Sequence, residues 1–270
     1  GTTLTFTAAP SSNSGNNIFV YYLFRTVGTV GHPSNQALSA SNITVDTTTL
    51  VTDSTNNRVG IGTASPSTSL NVVGGEYLQT QDSADTVLTL TSTSNSGRSY
   101  QIRSQNSSGE FYVYDNTAGA SRITVDSNGH VTMPSQSAFL ARATAQNNIA
   151  NGTTMTFGTE IFDQNSDFAS NAFTAPVTGR YHLSFSLRLV DLDNAASYII
   201  IRMETSNRNL DTIIDIDEFS SDVQYYTANY SMLMDMDAND TASVVYVQSG
   251  GSSVVDMDAT HSLFSGYLVC

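Results

Sequence analysis

The feature that most constrains this chain is the alternation that begins after Gly179. Tyr181, Leu183, Phe185, Leu187 and Leu189 are apolar, and His182, Ser184, Ser186 and Arg188 stand between them. A period of two over this length places the apolar set on one face of a β-strand. Such a face needs a second sheet to cover it. Pro176 and Gly179 punctuate a tight turn just upstream, where Gly179 is expected to take a positive φ. From about Pro134 onward the chain reads as strands able to supply the second sheet: 139–145, 153–157, 172–175, 180–190, 198–205, 209–216, 224–236, 241–248 and 263–269. No amphipathic helix pattern interrupts them.

Charge narrows the function classes. The net charge is -14, with five Arg against eight acids before Ser135 and five against sixteen from there on. Without a basic stripe, an acidic chain of this kind is not a nucleic-acid binder. No apolar run reaches spanning length, so no membrane insertion is expected. Cys270 is the single cysteine, which rules out an intrachain disulfide. The chain opens in strand-like sequence at Gly1 and reads as part of a longer protein.

Before Pro134 the segments are shorter. Residues 1–45 read as a small N-terminal β unit whose strand 18–24 is apolar on both faces and needs neighbours from other chains. In residues 46–134 a strand precedes Val59, Gly60, Ile61 and Gly62, a Ser-Pro step follows, and a second strand starts near Leu70. The two glycines suggest close approach of three backbones around an axis. Strand-like runs at 86–91, 99–104 and 110–114 come next, and Asp126, Ser127, Asn128 and Gly129 mark a hairpin.

Two resemblances lie on these residues. The run Phe162, Asp163, Asn165, Phe168, Phe173, Pro176, Gly179, Tyr181 and Phe185, with Leu263-Phe264-Ser265-Gly266-Tyr267-Leu268 at the end, resembles the globular head of the first complement component, C1q, a relative of tumour necrosis factor. Leu183 departs from it, standing where that family carries an aromatic residue. The resemblance implies a ten-stranded jelly roll that assembles as a trimer. Gly60-Ile61-Gly62-Thr63 followed by Pro66, and the text from Leu88 to Met133, resemble stalk modules of bacteriophage tail fibres. Such modules stack along one axis and bury their apolar faces against symmetry mates. The expected fold is therefore all-β: an intertwined trimeric β stalk (46–134) behind the N-terminal unit (1–45), with a C-terminal jelly-roll head (135–270). The implied function is a phage fibre protein on the virion surface whose head attaches to a host cell-surface glycan or protein. The alternative is a structural decoration fibre or secreted surface protein whose head is mainly a trimerisation cap.

The chemistry-bearing residues are acids. Four scattered histidines and one cysteine form no zinc pattern. Carboxylates are too common in the loops to single out a hydrolytic pair, and the repetitive solenoid of a polysaccharide-cutting tailspike is missing, so the chain is read as non-enzymatic. Tyr225 is the ring expected to face out of its strand, with Tyr226, Ala228 and Tyr230 on the opposite alternation. Walking back from Cys270 through alternating antiparallel strands assigns each loop to an end of the head. The end away from the stalk collects Asp191, Asp193, Asp217, Glu218, Asp222, Asp256 and Asp258. That apex is the expected receptor face. No cofactor is required; calcium, which heads of the resembled family often hold, is the candidate there, with Asp217, Asp222, Asp256 and Asp258 as ligands. The plain alternative is that Asp is a favoured turn residue.

Overall fold

The structure is a computed structural model that describes residues 44–45, 49–74 and 84–270. The expected strand 18–24, and with it most of the N-terminal unit, lies outside the described residues. The chain falls into two compact units, Gly1–Gln79 and Thr80–Cys270. Among the described residues no helix is long and apolar enough to cross a membrane.

The first unit holds a four-stranded sheet of β1 (Thr44–Val45), β2 (Leu50–Asp53), β3 (Arg58–Ile61) and β4 (Leu70–Val72), in that order. Strands β3 and β4 are parallel, with Val59 opposite Leu70. This geometry explains both glycines within one chain. A Cβ on Gly60 would sit 2.6 Å from the Thr63 carbonyl oxygen, and one on Gly62 would sit 2.0 Å from that of Val73. Gly62 also has φ +72°. A close approach is thus made by the chain's own crossover between β3 and β4.

The second unit begins with an antiparallel sheet of β5 (Thr86–Thr91), β6 (Ser99–Ser104), β7 (Phe111–Asp115), β8 (Ala120–Val125) and β9 (Val131–Thr132). The predicted hairpin joins β8 to β9. Asp126 Oδ1 accepts from the Asn128 and His130 amides, and Gly129 has φ +88°. At the far end of β7, Asp115 is fully buried between Arg98 and Arg122, the latter at 2.7 Å, and accepts from the Ala118 amide. Arg122, opposed by burial and helped by Arg98, holds this carboxyl well below the usual carboxylate range. A depressed folded pKa contributes stability that is complete above the unfolded value, about 3.9, and is lost as pH falls below it. Protection of the β7 and β8 amides against hydrogen exchange, relative to unfolded-chain rates at the same pH, should therefore fall between about pH 4 and pH 2, with Asp115→Asn weakening the sheet at neutral pH and flattening the dependence. An unchanged profile in that variant would exclude Asp115 as the cause.

The head follows: β10 (Ala138–Arg142), β11 (Thr153–Thr154), β12 (Thr159–Asp163), β13 (Phe168–Ala169), β14 (Ala172–Thr174), β15 (Gly179–Leu192), β16 (Ala196–Thr205), β17 (Asn209–Ile214), β18 (Val223–Met236), β19 (Thr241–Gly250), β20 (Asp256–Met257) and β21 (Leu263–Leu268). One sheet runs β12-β10-β21-β15-β18 and the other β13-β14-β19-β16-β17, with β20 and β11 attached to β15 and β19. These ten main strands in two facing sheets form the expected jelly roll. Tyr181, Leu183, Phe185, Leu187 and Leu189 of β15 are all buried, as the alternation requires. They face Ile199, Ile201, Met203, Val244 and Tyr246 of the opposing sheet within one core. Strands β12 and β13 were not among the predicted ones. Both are short, and Ile161 and Phe162 of β12 are exposed, so the apolar text there does not alternate into the core.

Gly179 corrects one expectation. It opens β15 and is absent from the positive-φ residues. Its requirement is space: a Cβ would lie 2.8 Å from the Cys270 carbonyl oxygen and 2.9 Å from Leu268 Cδ1. The last residues press here because the Arg180 amide donates to the Cys270 carbonyl at 2.8 Å. A φ requirement would favour Asn over Ala, whereas a clash penalises both. Gly179→Ala and Gly179→Asn should each cost about 1–3 kcal/mol, and removal of Cys270 should reduce that cost. Thermal melts of the parent and the two variants, each with and without Cys270, decide between the two explanations.

Candidate functional site

The end of the head away from Ser137 is built from loops that both sheets contribute. The β15–β16 turn is closed by Asp193, whose Oδ1 accepts from the Ala195 amide at 2.8 Å and whose Oδ2 accepts from the Ser252 amide at 2.6 Å. These backbone donors, Ser252 first, lower the Asp193 pKa against burial. Asn194 ties the same turn to the β17–β18 loop: its amide donates to Asp222 Oδ1 at 3.0 Å and its Nδ2 to the Phe219 carbonyl at 3.2 Å. The β19–β20 loop passes so close to β16 that a Cβ on Gly251 would lie 2.7 Å from the Ala196 nitrogen, and Gly251 has φ +64°. Loops 191–195, 217–222 and 249–255 are thus bound into one surface.

The predicted acids divide by what they do there. Asp193 and Asp222 hold loops together through backbone amides. Asp191 is exposed at φ +56°, between paired residues Val190 and Leu192 of β15, and the register continues unshifted across it. Asp256 lies along β15 opposite Val190 and accepts from the Asn148 amide at 2.7 Å. Asp258 caps a single 3-10 turn, accepting from Thr260 N and from His261 Nδ1, with Arg188 at 3.8 Å. His261 is the main reason that its pKa is lowered. Asp191, Asp217 and Glu218 tie no loop amide among the bonds described, and Asp217 and Glu218 join Asp215. One carboxylate oxygen from each of the three falls within 4.8 Å of the others, all three residues being exposed. The bond to Asp217, then burial and the charges of Asp217 and Glu218, push the Asp215 carboxyl up.

A hard cation fits this trio better than it fits Asp217, Asp222, Asp256 and Asp258 as a set. Oxygen donors converge in the trio, whereas Asp222, Asp256 and Asp258 are committed to amides elsewhere. Asp215 stood outside the predicted ligand set, and the sequence placed it inside a strand at 209–216, whereas β17 ends at Ile214. Also missed was the loop around Asn148 and Asn151, which reaches this end through Asp256 and through the Gln248 amide, donating to Asn151 Oδ1 at 3.1 Å. Phe219 and Val254 stand exposed on the assembled loops. Tyr225 projects from β18 with 60% exposure, as its alternation predicted.

A second surface lies on the outer face of the β10-β21-β15-β18 sheet. Ser184 and Ser186 of β15, Asn229 and Ser231 of β18, and Ser265 of β21 form a shallow, open depression with Leu140 and Leu263 at its border. Ser184 and Ser265 share a hydroxyl hydrogen bond of 2.9 Å, and Ser231 Oγ lies 2.6 Å from His182 Nε2. The His182 ring packs on Tyr267 at 5.1 Å. Leu233 and Tyr267 are about half exposed on the same face.

A family model agrees with the architecture of the head. Residues 138–269 match the C1q domain family model. Among solved structures, the globular domain of zebrafish complement 1qA protein is similar over 50% of this chain and 98% of its own, at 16% identity and a TM-score of 0.38. Murine APRIL at pH 8.0 is similar over 50% of this chain and 99% of its own, at 9% identity and a TM-score of 0.37. No curated protein matches the chain. From the family match over residues 138–269 and the two facing sheets, the C-terminal half of the chain is a C1q-like jelly-roll head.

Proposed function

We propose that the chain is the distal part of a viral fibre, of the phage tail-fibre kind, in which three copies form a β stalk that presents three heads on the virion surface. The loop end of each head contacts a host cell-surface glycan or protein. The observation that carries this reading is the cross-bonded loop surface. Asp193, Asn194 and Asp222 fix three loops into a rigid platform, and that platform displays Phe219, Val254 and three acids with no fold-related partner. Rigid loops with exposed aromatic and polar groups are suited to recognition. Heads of the C1q/tumour necrosis factor type are typically trimeric, and the small-residue face of β15, β18 and β21 supports the same assembly here. The reading is one of binding. The nearest approach to a nucleophile and base, Ser231 with His182, lies on an open sheet face with no carboxylate behind it among the described residues. Calcium at Asp215, Asp217 and Glu218 would relieve their mutual repulsion and stiffen the platform.

The test is binding of labelled full chain to bacterial cells and to arrayed surface glycans. Phe219→Ser and Asp217→Asn should each weaken binding about tenfold, the scale of one interface contact. Calcium should raise the melting temperature of the parent chain and not of Asp217→Asn. Binding that survives both substitutions moves the contact surface elsewhere. Absence of binding to any cell or glycan would favour a head that serves mainly as a trimerisation cap.

A further inference from the structure

The sequence holds two Asn-Gly pairs, Asn128-Gly129 and Asn151-Gly152. This dipeptide is chemically labile, because glycine has no side chain to shield its amide nitrogen from the preceding carboxamide. The fold treats the two pairs differently. Both asparagines are exposed, and the glycines have φ +88° and +81°. A Cβ on either glycine would meet nothing within 4 Å. Exposure and turn conformation therefore do not separate the pairs; bonding does. Asn151 Oδ1 accepts from the Gln248 amide at 3.1 Å, and the Gly152 amide donates to the Tyr246 carbonyl at 2.9 Å. Both partners belong to β19, the central strand of its sheet. The Asn128 carboxamide has no hydrogen-bond partner among the described residues, and the Gly129 amide is held by the Asp126 carbonyl alone, at 2.9 Å. That bond lies at the tip of a hairpin whose strands β8 and β9 pair only as Thr124 with Thr132 and Val125 with Val131. Loop tips of this kind open locally at low free-energy cost.

We propose that Asn128 is a site of spontaneous covalent modification, where the Gly129 amide converts the side chain to a succinimide and then to isoaspartate or aspartate, while the folded head protects Asn151. The Gly129 nitrogen attacks Asn128 Cγ. The N–Cγ bond forms, the Cγ–Nδ2 bond breaks, and the proton lost from the Gly129 nitrogen leaves with Nδ2 as ammonia. Water then opens the ring. Addition at Cγ restores the ordinary backbone with aspartate at 128. Addition at the Asn128 carbonyl carbon leaves the main chain running through Cβ and Cγ, an isoaspartate. One water is consumed, one ammonia is released, and nothing is oxidised or reduced. The products act on the hairpin that carries them. Asp126 Oδ1 accepts from the Asn128 and His130 amides, so a lengthened backbone misplaces both donors. A new carboxylate close to Asp126 adds like-charge repulsion. Strand β9 runs directly into Met133, whose carbonyl accepts from the Gln136 amide and from Gln164 Nε2 of the head. Ageing at Asn128 thus loosens the joint between the β5–β9 sheet and the head.

The test is ageing of the full chain at mildly alkaline pH, with and without denaturant, followed by mass spectrometry of tryptic peptides. Cleavage at Arg122, Arg142 and Arg180 puts Asn128 in the peptide 123–142 and Asn151 in the peptide 143–180. In the folded chain Asn128 should gain the mass difference of a carboxylate over a carboxamide about tenfold faster than Asn151, because its attack needs only a local opening. In denaturant the two should age at similar rates. Fragmentation that distinguishes the isomers should find isoaspartate at 128. Equal rates in the folded chain, or ageing of Asn128 in denaturant alone, overturn the proposal. Hydrogen exchange reads the consequence. The aged chain should lose protection at the β8 and β9 amides while β15 keeps its own. Asn128→Gln, whose longer side chain closes the ring far more slowly, should keep both its mass and its β8–β9 protection through the same incubation. An aged chain with unchanged β8–β9 protection overturns the loosened joint.

Discussion

Phe139→Ala is expected to cost the head about 3–5 kcal/mol, the range for a buried aromatic truncated to Ala. Phe139 is 1% exposed and sits where the two sheets are pinned together. Its ring stacks on Phe168 at 4.8 Å and on Phe173 at 5.0 Å, and meets Phe264 edge-on at 5.0 Å. Phe139 and Phe264 belong to one sheet, and Phe168 and Phe173 to the other. Removing the ring opens a cavity between sheets that are each anchored by backbone ladders and cannot collapse fully into it. A partner residue makes the claim sharper. Gly266 pairs with Phe139 across β10 and β21, and a Cβ there would lie 2.8 Å from Phe139 Cε1 and 2.5 Å from Leu183 Cδ2. Gly266→Ala should therefore destabilise the parent head and do so less in the Phe139→Ala background. Denaturant melts of the double-mutant cycle measure this coupling. A cost below about 1 kcal/mol for Phe139→Ala, or strict additivity with Gly266→Ala, would show that this packing is not what holds the sheets together.

How much of this was legible in the sequence depends on the range of the interaction. β15 announced itself because burial of Tyr181 to Leu189 is a period-two property of one segment. The grouping of loops 191–195, 217–222 and 249–255 at one end was also legible, since antiparallel strands alternate in direction and counting them suffices. The roles of the acids in those loops were not. Asp193 looks like any turn aspartate until Ser252 is brought beside it, 59 residues along the chain. Asp222 is settled by Asn194 in the same way. Gly179 was singled out next to a turn but for the wrong reason, because the crowding comes from the carbonyl of Cys270, 91 residues away in sequence. Strands β12 and β13 escaped because five-residue and two-residue strands leave no period to detect, and Phe162 faces outward.

Ser231→Arg is expected to convert the assembly into monomers while leaving the fold of each head intact. On an isolated head the substitution is mild: Ser231 is exposed, and surface changes of this kind usually stay within about 0.5 kcal/mol. What it changes is the face. Ser184, Ser186, Asn229, Ser231 and Ser265 are small, and together they keep the outer side of β15, β18 and β21 flat, with Leu233 and Tyr267 exposed beside them. A flat face with few charges and scattered apolar groups permits close approach of another backbone. An arginine at its centre would put a long cation into that contact with no carboxylate facing it from the outer positions of neighbouring strands, which are His182, Ser184 and Ser186 of β15 and Ser265 of β21. Burying an unpaired charge costs several kcal/mol per copy, repeated at every interface of a closed ring. Light scattering should read a threefold drop in mass, with the circular dichroism melt of the head retained. Tyr225→Arg, a change of the same charge near the far end of the same strand, is the control for solubility effects. If Ser231→Arg keeps the parent mass at micromolar concentration, this face lies open to solvent, and the heads meet through another surface or not at all.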